Sequence, residues 1–393
     1  MKLAIINIGC LFTGDLRNPL LTDSDTVLVD DAGKIAGIGK SCDLVEAVRD
    51  AALIVDVQGM TVAPGLIDSH CHVVLGDYTP RQKCVDFLDS YVHGGVTAVV
   101  SASEVHAPGR PHDRYAVIGL ALAAHHCFQH FRPNGMKVFA GSVILEPTLT
   151  EDDLRFLASA GVRYAKFGFG AYDDPREGEP QVRWAKQAGL VVMSHCGGAS
   201  IPGSQPILAE HLLVLQPHVL GHINGGPTSL PDEDIEVLVA ETDMALQLVQ
   251  AGNLRSALRI VELARQTDNF HRVLIGTDTP TGTGVMPLGM LKSVVELSSL
   301  SDTPPEIVWS WATGNNADAF RLPTGKIAPG WPADLVVMDA PWGSVAVDAA
   351  SAIRRGDIPG IAAVVIDGTV RTLRSRNTPP SRREVILKER GRS

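Results

Sequence analysis

The feature that most constrains the fold of this chain is a succession of eight short apolar runs, separated by longer spacers of helical texture. Each run has the length of a buried strand. Strands that alternate regularly with helices form parallel sheets. The runs cover residues 65–74, 94–103, 137–145, 161–169, 189–197, 218–224, 243–250 and 272–279. The sequence therefore predicts an α/β protein whose central part is a (β/α)8 TIM barrel.

The two ends of the chain have a different texture, with short alternating runs and turn signals such as Asp31-Ala32-Gly33. We expect both ends to meet in one small β-sandwich, with residues 1–62 as its first part and residues 321–393, including the C-terminal tail, as its second. The barrel domain then spans residues 63–320. The spacer before the second part predicts one helix over 304–320. The basic tail that begins at Arg374 is expected to lie over the surface or to be partly disordered.

Charge and cysteine content exclude several classes of protein. The net charge is -10, which argues against nucleic acid or an anionic membrane as the main partner. The six cysteines form no CxxC pair, so a reducing cytoplasmic location is expected. No apolar stretch approaches the roughly twenty residues of a membrane span. We expect a soluble protein that acts on a small molecule.

The run "GLIDSHCHVV" carries two histidines that are two positions apart, His70 and His72. On a strand, residues i and i+2 share a face, so the pattern predicts Asp68, His70 and His72 on one face and Cys71 on the other. A lone histidine near a strand end is more often structural than a metal ligand. The pair leaves these two interpretations about equally balanced.

Other polar residues recur near the ends of later runs. Lys166, His195, His222 and Asp278 lie in runs four, five, six and eight, at successive separations of 96, 29, 27 and 56 residues counted from His70. With about 30 residues in each βα unit, these separations place all of them at one level of a barrel. That level is the C-terminal rim, where barrel active sites lie. Such nitrogen and oxygen donors suit Zn, and also Fe, Mn or Co.

Lys166 requires its own interpretation, because an ammonium group beside divalent cations would be both repelled and desolvated. A buried lysine lowers its pKa readily, and the neutral amine can take up CO2 to give an anionic carbamate that bridges two metals. The alternative is an ordinary lysine that reaches the rim or pairs with an acid. Lys166 taken alone favours this second interpretation.

The order His-x-His, Lys, His, His, Asp on strands one, four, five, six and eight resembles the amidohydrolase superfamily in its binuclear form. The stretches "TVAPGLIDSHCH", "TGKIAPGWPADLVVMD" and "VIDGTV" are similar to its junctions between sandwich and barrel, so the resemblance covers the whole chain. It implies two divalent metal ions, with Zn favoured over Fe or Mn. The implied ligands are His70, His72 and Asp278 for the first metal, His195 and His222 for the second, and carboxylated Lys166 as the bridge.

The resemblance also implies a reaction, in which a hydroxide held between the metals attacks the carbonyl of a cyclic amide. Asp278 would serve as general base and then as general acid. Longer stretches such as "GDYTPRQK" and "HINGGPTSL" narrow the resemblance to hydrolases of cyclic enamides. They imply that 6-oxo-1,4,5,6-tetrahydronicotinate, from nicotinate degradation, is opened to 2-formylglutarate and ammonia. They also imply a homo-oligomer, in particular a tetramer.

Three alternatives stay open from the sequence. The chain could be another cyclic amide or imide hydrolase of this superfamily, similar to dihydropyrimidinase or imidazolonepropionase. It could also be a deaminase, against which Lys166 counts, or a scaffold without catalysis, against which the complete ligand set counts. Substrate contacts are expected from the loops after strands one, two and six, although exposed cations are usually solvated. The candidates are Asp77, Tyr78, Arg81, His106, Arg110 and Asn224.

Overall fold

The computed structural model describes residues 1–73, 84–103, 110–200, 204–226, 228–280 and 284–390. The N-terminal part consists of short strands and one short helix, as the alternating runs predict. Its elements are β1 (Leu3–Ile6), β2 (Cys10–Phe12), β3 (Leu20–Leu21), β4 (Thr26–Val29), β5 (Ile35–Gly39), α1 (Val45–Arg49), β6 (Leu53–Asp56) and β7 (Thr61–Pro64).

The central part alternates strands with helices. Its strands are β8 (Leu66–Cys71), β9 (Val96–Ser101), β10 (Lys137–Phe139), β11 (Val143–Ile144), β12 (Tyr164–Phe167), β13 (Val191–His195), β14 (Val219–Gly221), β15 (Ala245–Val249) and β16 (Val273–Gly276). Its helices are α2 (Cys84–Val92), α3 (Arg114–Gln129), α4 (Glu151–Ser159), α5 (Glu179–Gln187), α6 (Ala209–Leu215), α7 (Asp232–Glu241), α8 (Leu254–Gln266), α9 (Gly289–Ser301), α10 (Pro305–Trp311) and α11 (Gly314–Phe320). All eight predicted runs contain strands.

The chain ends in β17 (Leu335–Asp339), α12 (Ala349–Arg355), β18 (Gly360–Ile366), β19 (Thr369–Leu373) and β20 (Ile386–Glu389). The turn between β18 and β19 is Asp367-Gly368, and both residues have positive φ. This is the conformation that two-residue hairpin turns require, and the Asp-Gly pair adopts it readily. This turn joins β18 and β19 into an antiparallel hairpin.

The strands of the central part pair in parallel in the order β8, β9, β10 and then β11 through β16. The third run is divided into β10 and β11 by a bend at Gly141, which has a φ of +99°. Because of this bend, β10 pairs with β9 whereas β11 pairs with β12. After β16, Thr279 forms a parallel bridge with Cys71 of the first strand. Pairing therefore returns from the last strand to the first.

Two apolar layers flank these strands. An inner cluster contains Ile67, Met193 and Leu274 from the strands together with Phe320 from α11. A larger outer cluster contains the helix side chains and the opposite face of the strands. Strands buried on both faces explain why the runs are almost continuously apolar.

The helix predicted over 304–320 is interrupted. Thr313 has a φ of -135° and a ψ of -87°, so α10 and α11 are separate helices. The second helix lies against β8 and β16, where Asn316 donates hydrogen bonds of 2.8 Å to the carbonyl oxygens of Ile67 and Ile275. The apolar period alone could not reveal this interruption, since both helices bury a similar face.

The terminal segments form two further sheets. Their strand orders are β20-β6-β1-β4-β5 and β19-β18-β17-β7-β2-β3. One apolar cluster contains side chains of both sheets, among them Leu3 and Val55 from the first and Val62 and Val365 from the second. Each sheet thus combines strands from both ends of the chain.

The prediction for the C-terminal tail was wrong in part. Residues 386–389 are a strand, β20, which pairs antiparallel with β6 and extends the first sheet. Arg383 fixes the approach to this strand, since its Nε donates a 2.9 Å hydrogen bond to the buried carboxylate of Asp339. The basic composition of the tail gave no indication of the ion pair with a buried aspartate or of the edge strand. Within the described ranges, no helix is both long and apolar enough to cross a membrane.

Candidate metal centre

The pairing of the parallel strands brings the predicted polar residues to one level. Lys166 of β12 is in register with Met193, and His195, the last residue of β13, is in register with Gly221. His222 follows β14 directly, and Asp278 follows β16 by two residues. With His70 and His72 at the end of β8, all six side chains are buried at the carboxyl ends of their strands.

Strand parity predicted Asp68 on the same face as the two histidines, and this was wrong. The register between β8 and β9 shifts between Asp68 and Cys71, which adds one residue to β8. Such a bulge reverses the alternation of side chains. The Asp68 carboxylate instead accepts hydrogen bonds from the backbone nitrogen and the hydroxyl of Thr277. Burial raises the pKa of Asp68 to about 7.

The first group of candidate ligands surrounds the Asp278 carboxylate. Its Oδ1 lies 2.9 Å from Nε2 of His72 and 3.3 Å from Nε2 of His70. Ligand atoms of these three residues all lie within 4.8 Å of one another, which is a spacing that a metal ion can bridge. Two donors at the end of the first strand, β8, and one donor just after the last strand, β16, therefore converge.

The second group is the histidine pair on neighbouring strands. Nδ1 of His195 lies 3.0 Å from Nε2 of His222, and Nε2 of His195 donates a 2.9 Å hydrogen bond to the carbonyl of Gly198. This bond leaves a lone pair on Nδ1 of His195. The rings of His222 and His70 are 5.3 Å apart, so the two groups adjoin.

Two of these residues adopt a left-handed backbone conformation. His222 has a φ of +40° and Asp278 a φ of +57°. Positive φ is uncommon outside glycine and is retained where the surrounding structure enforces it, often at functional sites. In both cases the conformation occurs just beyond the end of a strand. The directions of the His222 and Asp278 side chains are therefore not fixed by the alternation of the strands that precede them.

The protonation states fit ligands rather than cations. Burial holds the pKa of His70 and of His222 well below the ordinary value and lowers that of His195 to about 4. Burial likewise lowers the pKa of Lys166 to about 8. Imidazoles that stay neutral keep a lone pair for a metal. A lysine shifted in this way can lose its proton near neutral pH.

Several polar atoms of this group are buried without a hydrogen bond. Among the described residues, this holds for Nε2 of His70, Nδ1 of His222 and Nζ of Lys166. Such atoms are costly in a protein interior unless an ion or another group satisfies them. Together with the Asp278 carboxylate, they provide the mixed nitrogen and oxygen donors that divalent zinc or iron binds. The residues present fit a metal centre.

Of the six predicted substrate contacts, the structure describes two, Arg110 and Asn224. Asp77, Tyr78, Arg81 and His106 lie outside the described residues. Arg110 is buried, and its Nη1 donates a 2.8 Å hydrogen bond to the buried carboxylate of Glu146. The amide of Asn224 pairs with the backbone of Val249 on both sides, at 2.9 and 3.0 Å. Both side chains therefore have structural partners, while their contact with substrate stays a prediction.

Sequence reasoning missed two buried polar residues near the rim. Glu146 accepts hydrogen bonds from Arg110, from His112 and from the backbone nitrogen of Ala171, and so connects three loops. Gln247 of β15 contacts His70 directly. The signal for Gln247 was an amide between two leucines in a buried strand. Cys71 and Cys196 belong to the outer apolar cluster, as parity predicted.

Residues 61–371 match the sequence profile of the amidohydrolase family. The chain belongs to this family. Amidohydrolase membership implies a divalent metal centre and makes the chain a hydrolase of C–N bonds, in agreement with the donors described above.

Individual amidohydrolases show how far the similarity extends. Enamidase of Eubacterium barkeri is 44% identical over 385 residues, which is 97% of this chain and 98% of that protein. A crystal structure of enamidase superposes with a TM-score of 0.94 at 43% identity, and the match covers 99% of this chain and all of the other. Imidazolonepropionase of Streptomyces griseus is 25% identical over 86% of this chain and 93% of its own length. The chain therefore has the TIM-barrel fold of the amidohydrolases.

Proposed function

We propose that this protein opens a cyclic enamide by hydrolysing its amide bond, with a binuclear metal centre. The observation that carries the proposal is the similarity to enamidase in sequence and fold, which extends over nearly the whole chain, together with the buried donors at the rim. The substrate inferred is 6-oxo-1,4,5,6-tetrahydronicotinate, and the products are 2-formylglutarate and ammonia. The identity with imidazolonepropionase and with adenine deaminases is lower, which makes their reactions weaker candidates.

The two groups of donors support a division of ligands between two metal ions, with Zn favoured and Fe or Mn as alternatives. His70, His72 and Asp278 converge on one position, whereas His195 and His222 define another. Lys166, buried and with a lowered pKa, is suited to carry a carbamate between them. When bound, such metals activate water and polarise the amide carbonyl.

The remaining chemistry falls to the protein. Asp278 Oδ1 lies 2.9 Å from Nε2 of His72, and this contact holds the carboxylate at the rim. An aspartate in this position can take a proton from water and release it to the departing ring nitrogen. The Phe169 ring lies 5.5 Å from the His195 ring and provides an apolar wall on one side. Loss of the nitrogen as an enamine, followed by tautomerisation and hydrolysis, gives the aldehyde and ammonia.

A panel assay tests this function. Purified protein is supplied with six-membered lactams, cyclic enamides, hydantoins and dihydropyrimidines, and ring opening is followed by ultraviolet absorbance and by ammonia release. We expect turnover of the enamide carrying a ring carboxylate, and none by the His70→Ala variant. Turnover of another ring alone would contradict the proposed substrate but keep the class of reaction. Turnover of none would reject the function.

We further propose that the ring of strands is a closed (β/α)8 barrel over residues 63–320 and that the terminal segments, 1–62 and 321–393, form a β-sandwich. The return of pairing from Thr279 to Cys71 supports closure. The apolar cluster shared by the two terminal sheets supports stacking. An ion pair between Lys137 of β10 and the buried Asp334 joins the two units.

We also propose that the protein is a homo-oligomer, in particular a tetramer. Three large apolar side chains protrude from one loop, with exposures of 73% for Trp342, 78% for Val345 and 69% for Val347. Clustered apolar groups on a surface are typical of interfaces. We expect the double variant Trp342→Ser, Val345→Ser to have a lower mass by light scattering than the wild type, and Tyr115→Ser, an equally exposed site elsewhere, to keep the native mass. An unchanged mass in the double variant would exclude this loop from the interface.

A further inference from the structure

One buried amide contacts the candidate metal centre without belonging to it. Gln247 lies in β15, which like β9, β10 and β11 supplies no candidate ligand, and its side chain is fully buried. Its Oε1 lies 2.6 Å from Nδ1 of His70 and accepts a 3.3 Å hydrogen bond from the backbone nitrogen of His222. Its Nε2 donates to the carbonyl oxygen and the hydroxyl of Ser69, at 3.0 and 2.9 Å. Both ends of the amide are therefore used.

These contacts determine which way the amide faces. A backbone carbonyl only accepts hydrogen bonds, so the end of Gln247 that meets the Ser69 oxygen must be the NH2 group. The other end, which meets His70, is then the carbonyl. The opposite orientation would set two oxygens 3.0 Å apart in the protein interior and would face the His222 backbone nitrogen with a donor. The hydroxyl of Ser69 cannot relax this choice, since the carbonyl of the same residue is fixed.

The orientation of the amide determines the tautomer of His70. Because Oε1 only accepts, Nδ1 of His70 must carry the hydrogen, and Nε2 keeps its lone pair. Nε2 is the atom that lies 3.3 Å from the Asp278 carboxylate and that has no hydrogen bond among the described residues. A partner on the second nitrogen that fixes ring orientation and tautomer in this way is a recurring feature of histidines that bind metals.

We propose that Gln247 is a positioning residue of the metal centre, which holds His70 in the tautomer and orientation that present Nε2 to a divalent cation. The inference rests on the proposed metal centre and assigns a supporting role to a residue of β15. The contact with the His222 backbone extends the same support to the neighbouring group of donors. Gln247 itself contributes no atom to the ligand set.

Zinc affinity tests this role independently of activity. Purified enzyme is stripped with a chelator, and Zn2+ is titrated in competition with a chromophoric chelator. The Gln247→Leu variant, similar in size but without an acceptor, is expected to bind Zn2+ about 10- to 100-fold more weakly. Gln247→Glu keeps an acceptor for His70 and, when protonated, a donor for Ser69, so it is expected to stay within about tenfold of the wild type.

Ser69→Ala is the matched control. It removes the hydroxyl that meets Nε2 of Gln247 but leaves the Ser69 carbonyl, so the amide keeps its orientation and Zn2+ affinity should be close to that of the wild type. If Gln247→Leu does not fold, Gln247→Asn carries the test, because the shorter amide withdraws its oxygen from His70. Co2+ absorbance in each variant reports the coordination directly.

The outcomes separate this inference from the proposed function. Wild-type affinity and an unchanged Co2+ spectrum in Gln247→Leu, or in Gln247→Asn if the leucine variant is unfolded, would overturn the positioning role and leave the metal centre intact. A loss in Ser69→Ala as large as in Gln247→Leu would also overturn it, since packing and not the acceptor would then be responsible. A wild-type protein that binds no Zn2+ or Co2+ would overturn both proposals.

Discussion

Lys166→Ala is expected to lower kcat/KM by about 10³-fold or more, because the loss of the proposed carbamate would remove several kcal/mol of transition-state stabilisation. The side chain is fully buried, Nζ has no hydrogen bond among the described residues, and it lies 5.9 Å from the centre of the Phe169 ring. Short carboxylic acids such as formate, acetate or propionate are expected to restore part of the activity, since alanine leaves space for an external carboxylate.

Two further variants control for a merely structural effect. Lys166→Met fills the space of the lysine, so it should be inactive and should not respond to added acids. Lys137→Met removes a second strand lysine, which is partly buried and pairs with Asp334 and Asp367. This variant should lose stability but keep activity that is independent of carboxylic acids. Full activity in Lys166→Ala would contradict the proposed carbamate.

The pKa of Lys166 also determines how carboxylation depends on pH. CO2 adds only to the free amine, and the lowered pKa of about 8 means that this form grows as the pH rises through 8. Reactivation of chelator-treated enzyme by Zn2+ should therefore require bicarbonate and proceed faster above pH 8 than below it. Reactivation without bicarbonate at an equal rate would show that the amine acts unmodified.

Asp278→Asn is expected to reduce kcat by about 10²- to 10⁴-fold, the range for loss of a general acid or base. Asparagine keeps the size of the side chain and can still place an oxygen beside His72, but it cannot take up a proton. The measurement is kcat together with bound metal per chain, because Asp278 is also a proposed ligand. A low kcat with retained metal would assign the loss to proton transfer.

Asp68→Asn is the matched control for that substitution. Asp68 is equally buried and lies near the same strand end, but its carboxylate binds Thr277 and does not join the ligand group. We expect this variant to keep most of its kcat. Equal losses of kcat in both variants would show that removing any buried carboxylate in this region impairs the enzyme. That result would contradict a specific role for Asp278.

The level at which the six polar residues meet could be predicted from the sequence, because βα units of similar length repeat around a barrel. Counting along the chain placed Lys166 and His195 correctly on neighbouring strands. Counting fails where one residue is inserted. The bulge in β8 reverses the side-chain alternation and moves Asp68 out of the group, and the alternation of apolar residues contained no sign of it.

Contacts between distant segments were also beyond the sequence. Gln247 and His70 are 177 positions apart, so their pairing follows only from the arrangement of the strands in space. The same holds for Arg383 and its partner Asp339, which ends β17. This ion pair orders the polar tail just before the edge strand β20. Arg110 illustrates the reverse case, since a cation assigned to a substrate carboxylate has a buried glutamate as its partner.

The central claim is that a binuclear metal centre at the strand ends carries the reaction. Metal content per chain of the purified enzyme, measured by elemental analysis alongside kcat for the enamide, tests it most directly. We expect about two divalent ions per chain, loss of activity when both are removed, and recovery when they are restored with bicarbonate. Full activity in protein that contains almost no metal would contradict it.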